Sequence, residues 1–177
     1  MRKPLLAPLV LLLLPAGMAA QEMQHPAHHR AVQSVRPLYE RIRELYIRAA
    51  EAMPAEHYGY RPTPAVRTFG EILGHVANET FLFCAYARGE PDPNQVDYEK
   101  AAKPELVKGL RDSFAYCDPA YQMDEMKAME EMTAFGRTGT RLWVLIYNVT
   151  HDSEHWGNIV TYMREKGLVP PSSAGGP

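Results

Sequence analysis

The sequence predicts an all-α protein, a four-helix bundle with long crossover connections. Apolar residues recur at helical spacing in four long segments, prolines and glycines cut those segments apart, and no alternating strand pattern stands out. Four such segments in one chain bury their stripes most simply against one another.

The 177 residues suit one compact domain with a real core, and the formal net charge of −2 offers nothing for nucleic acid. No Lys/Arg block addresses an anionic membrane surface. Arg2 and Lys3, the apolar run Leu5 to Leu14, Pro15 and the small residues Gly17-Met18-Ala19-Ala20 read as a signal peptide over residues 1–20. The apolar run is too short to span a bilayer, so the expectation is an exported chain, periplasmic or extracellular, with no stable membrane insertion after cleavage. Residues 21–31 carry His25, His28 and His29 and are expected to be a flexible terminus, although His-rich tracts can bind metal loosely.

The bundle is placed at residues 32–168. Helix one covers about Val32 to Met53, with Leu38, Tyr39, Ile42, Leu45, Tyr46 and Ala49 inward, and Pro54 stops it. The proline-rich stretch to Arg67 is expected to be irregular, with His57 at the surface. Thr68-Phe69-Gly70-Glu71 matches a capping box, so helix two starts there, and it ends at Arg88-Gly89-Glu90-Pro91. A polar crossover leads to helix three near Pro104, which Asp118-Pro119 must kink or end. Met123, Met126, Met129 and Met132 lie in an irregular or short-helical connection; thioethers suit Cu(I), but methionine as core filler is the simpler reading. The last helix covers about Thr140 to Lys166, apolar nearly all round and hence central, with Gly167 and Pro170-Pro171 ending it before the tail at 169–177. Cys84 and Cys117 fall near the ends of helices two and three, where a disulfide and two separate buried thiols are both open.

The chemistry concentrates in the last helix. His151 and His155 are four apart, hence on one face and close enough to hold one metal ion. Asn148 and Asn158 are placed on the same side, as are Val144, Tyr147 and Tyr162. His75 lies mid-face in helix two, between Glu71 and Glu79, and is the natural third ligand. A lone histidine there would more often be a satisfied core residue, and His-x-x-x-His is by itself a weak pattern. A zincin reading fails: it needs His-Glu-x-x-His, whereas Asp152 stands at the second position, and no strand is expected ahead of the helix.

The loop Tyr58-Gly59-Tyr60-Arg61-Pro62, the run Arg67-Thr68-Phe69-Gly70-Glu71-Ile72-Leu73-Gly74-His75, the pair His151 and His155, and the ending Gly157-Asn158-Ile159 to Gly167-Leu168-Val169-Pro170-Pro171 resemble the DinB-like (YfiT/DinB) superfamily. The resemblance covers about Val32 to Ser172. It implies an up-down-down-up bundle with one divalent metal, zinc or nickel, held by His75, His151 and His155. It also implies relatives that include thiol transferases and isomerases using bacillithiol, mycothiol or glutathione.

Three neutral imidazoles leave the full charge on such an ion, so the expectation is a hydrolase or thiol/group transferase that activates water or thiolate. Glu79 is the expected proton acceptor. Asn148 and Asn158 are expected to orient the ligands, and Tyr147 and Tyr162 to line the pocket. The alternative is a non-catalytic metal-binding stress or scavenging protein. The substrate is a small molecule of unnamed class, and bundles of this sort commonly form homodimers.

Overall fold

A computed structural model describes residues 30–175 of the chain. The expected signal peptide and nearly all of the His-bearing terminus lie outside them. Four long helices, α1 (Arg30–Ala52), α2 (Phe69–Arg88), α3 (Lys103–Cys117) and α5 (Arg141–Glu165), form the bundle. The connection after α3 holds a single helical turn, α4 (Glu125–Ala128), and an antiparallel hairpin of β1 (Glu131–Ala134) and β2 (Arg137–Thr140). The hairpin corrects the expectation of no strands. Each strand has only four residues, half of them exposed, β1 alternates too briefly to stand out, and the turn is Phe135-Gly136 rather than Asn-Gly, so little announces it. It also places a strand directly ahead of α5.

α2 packs against α3 and α5, and α1 against α5 and α3, which closes a four-helix ring. Inside it Tyr39, Tyr46 and Tyr121 are almost fully buried. Buried phenols need acceptors, and each finds a main-chain carbonyl on a neighbouring element. Tyr39 donates to Phe114 O at 2.8 Å, Tyr46 to Asp152 O at 2.7 Å and Tyr121 to Leu145 O at 2.9 Å. These bonds fix α1 on α3, α1 on α5, and the turn after α3 on α5. Cys84 and Cys117 are joined in a disulfide, with Cα atoms 5.2 Å apart, between α2 and α3.

Helix α2 begins where local chemistry dictates. Thr68 N–H donates to the Glu71 carboxylate at 2.7 Å, and Glu71 N–H donates to the Thr68 hydroxyl at 3.2 Å. Helix α1 starts two residues before the expected Val32 and continues through Pro37. The proline-rich stretch after it is not wholly irregular: Ala55–His57 form a 3₁₀ turn, and Tyr58 is buried against Phe69. α5 is not buried all round, since Ile146 and Tyr147 are exposed. Among the described residues no helix is long and apolar enough to cross a membrane.

Candidate metal centre

His75 stands in the second turn of α2, and His151 and His155 stand one turn apart on α5, the helix packed against it. Their ring centroids are 4.6 to 5.0 Å apart, and one nitrogen from each lies within 4.8 Å of the others. The Nε2 atoms of His75 and His151 are 3.1 Å apart. Two imidazoles sharing one zinc tetrahedrally, at bonds of about 2.1 Å, hold their nitrogens ~3.4 Å apart.

The surroundings suit a cation. Burial, aided by Arg67 and the other two rings, lowers the pKa of His75 to about 4. Burial likewise lowers that of His155, followed by His151 and Arg67. Both rings are therefore neutral at physiological pH, which is the ligating form. His155 Nδ1 is buried without a hydrogen-bond partner, a cost that a ligand at the centre would relieve. The donor set thus fits one divalent ion of the borderline, imidazole-preferring kind.

Two carboxylates back the rings. His75 Nδ1 lies 3.4 Å from Glu99 Oε1, and Arg67 Nε donates to Glu99 Oε2 at 3.3 Å. His151 Nδ1 lies 3.3 Å from Asp152 Oδ1, an arrangement that leaves Nε2 as the acceptor. Glu99 comes from the crossover between α2 and α3, which is admitted by two glycines. A Cβ at Gly74 would lie 2.3 Å from the Tyr98 carbonyl oxygen, and one at Gly109 2.3 Å from the Tyr98 ring. Gly74 immediately precedes His75, so the close approach that seats Tyr98 also brings Glu99 to the ring.

The other expected site residues separate into groups. Glu79 is one helical turn beyond His75; burial raises its pKa, while the nearby His151 pulls it back. Asn158 and Tyr162 line a cavity of about 600 Å³ together with His155, Arg67, Glu71 and Glu99. The Tyr162 hydroxyl donates to Arg67 O at 3.1 Å. Tyr147 rests against His151, with ring centroids 6.4 Å apart. Asn148 departs from its expected place: it is buried, and its amide donates to the Tyr121 hydroxyl at 3.0 Å. Ten residues make about 2.8 turns, so Asn148 and Asn158 do not share a face, and Asn158 is exposed.

Asp152, which in the sequence stands out only as the wrong residue for a zincin base, has a larger place in the structure. It is fully buried, and burial raises its pKa to about 6, with one carboxylate oxygen unpartnered. Its sequence neighbours Thr150, His151, Ser153 and Glu154 are polar and gave no sign of that burial. Nothing in sequence marks Glu99.

The sequence pattern of the DinB superfamily matches residues 38–159, most of the chain. The chain belongs to the DinB superfamily. It is 24% identical over 122 residues to the uncharacterized protein YjoA of Bacillus subtilis, covering 67% of this chain and 79% of that one. The crystal structure of a DinB-like protein from Bacillus cereus superposes with a TM-score of 0.70 at 17% identity, covering 78% of this chain and 95% of the other. That of YjoA gives 0.60 at 24% identity, over 77% and 93%. A mycothiol-dependent maleylpyruvate isomerase, as its H52A mutant, gives 0.59 at 18% identity, over 73% of this chain and 59% of the isomerase. At these identities the neighbours show the DinB fold. All three clustered histidines lie within the matched span.

Proposed function

We propose that this DinB-superfamily chain is an exported metal-dependent enzyme, a hydrolase or thiol/group transferase, with one zinc or nickel ion held by His75, His151 and His155. The observation that carries the reading is the convergence of three histidines from two helices, with two Nε2 atoms 3.1 Å apart. The cavity of about 600 Å³ that reaches His155 supports a reactive rather than a sealed site. The likeness to a mycothiol-dependent isomerase supports thiol chemistry, and the Cys84–Cys117 disulfide suits an oxidising compartment.

When bound, such an ion supplies Lewis acidity that lowers the pKa of water or a thiol toward neutrality. The protein's own groups do the rest. Glu99, held by Arg67, and Asp152 orient the rings of His75 and His151. Glu79, with its pKa raised by burial, is the base that takes the proton from the incoming nucleophile. A panel of thiol-conjugation, ester and amide substrates tests the reading on metal-loaded and chelated protein. Turnover that requires metal and is lost in His151→Ala is expected. Metal-independent turnover contradicts it, and metal binding without turnover on any substrate favours the scavenging role.

A further inference from the structure

The hairpin β1–β2 carries a residue that its own geometry disfavours. Phe135 sits at φ 53° and Gly136 at φ 70°, the left-handed pair that two-residue hairpin turns fill with Asn-Gly. A phenylalanine there is strained, and it remains 44% exposed. Its ring nonetheless lies over an aromatic row, with centroids 5.3 Å from Phe83, 5.1 Å from Tyr86 and 5.6 Å from Tyr147. The row runs to the histidines: Phe83 is 5.2 Å from His151, edge to face, and Tyr147, itself 40% exposed, is 6.4 Å from it. Strain kept at an exposed aromatic beside a candidate reactive centre points to use rather than to packing.

We propose that Phe135 and Tyr147, backed by the buried Phe83, form the recognition wall for an aryl group carried by the ligand that engages the histidine centre. The occupant follows from continuity. A ligand held at His151 that extends toward the neighbouring Tyr147 meets the exposed faces of Tyr147 and Phe135, which suit a flat ring in offset or edge-on contact. The substrate class is thus an aryl-bearing small molecule with a metal-binding head. The inference rests on the metal-site reading above.

Zinc-loaded protein titrated calorimetrically with acetohydroxamate and benzohydroxamate tests it, since the two share a metal-binding head and differ in the aryl group. Wild type is expected to bind the aryl compound about tenfold more tightly. Phe135→Asn relieves the turn, so its thermal midpoint should hold or rise, while the aryl preference falls several-fold and acetohydroxamate affinity stays put. Tyr147→Ala should lose the preference as well. Equal binding of both compounds by wild type, or a preference untouched in both variants, overturns the wall and leaves the metal site standing. Failure of both compounds to bind zinc-loaded protein overturns the open metal site, and the wall with it. If Phe135→Asn instead converts a dimer to a monomer with the preference intact, the face is an interface between copies and the proposal fails.

Discussion

A histidine is a selective ligand only when its ring is held, and here one of the two holding carboxylates, Glu99, comes from outside the pattern that reveals the ligands. Glu99 faces His75 Nδ1 at 3.4 Å and is itself held by Arg67. Replacing it by glutamine keeps the shape and removes the charge, so Glu99→Gln is expected to weaken metal affinity about 10- to 100-fold with little change in fold, as calorimetric zinc titration would show. An unchanged affinity would mean that the carboxylate only bridges to Arg67. The three histidines were legible because helical period and spacing bring them to facing stripes. Glu99 was not, because a crossover has no period, and its position depends on Gly74 and Gly109 yielding space to Tyr98. Asn148 was misplaced because residues ten apart drift round a helix, and its amide serves the Tyr121 hydroxyl instead.

Among the elements, α2 sets the position of His75, and its start is set by Thr68. Thr68→Ala removes the cap and is expected to cost about 1 kcal/mol of unfolding free energy in urea. The reciprocal partner makes this contribution depend on pH. The Thr68 N–H donating to the Glu71 carboxylate, with smaller help from the Thr68 side chain and nearby arginines, holds that pKa below its ordinary value in the folded state. The folded state then prefers the ionised form. Its contribution is present above the unfolded pKa and is lost as pH falls through the folded one. Wild type and Glu71→Gln should therefore differ in stability at neutral pH and converge in acid; a constant gap would contradict the assignment. The capping box was readable because it is a local code. The hairpin was not, because its turn holds phenylalanine where the backbone favours asparagine.

Taken together, the ring of four helices is held by an apolar interior, phenol-to-carbonyl bonds between helices and one covalent tie. The Cys84–Cys117 disulfide closes a sequence separation of 33 residues. By chain entropy alone its removal in a Cys84→Ser/Cys117→Ser double variant costs about 3–4 kcal/mol, which would appear as a lower denaturation midpoint. No loss of stability on reduction of wild type would mean that the tie is dispensable. The all-α bundle was legible throughout, since periodic stripes and proline breaks survive any tertiary context. That α2 faces the last helix was legible from the histidines; the remaining neighbours were not, because crossover length alone leaves them open.

Everything proposed for function depends on one cation at three rings. The most direct measurement is metal content by mass spectrometry of the purified chain after saturation with zinc and dialysis, alongside His75→Ala and His155→Ala. One ion per chain in the parent and none in either variant is the expected result. A parent without bound metal, or variants that retain a full equivalent, would contradict it.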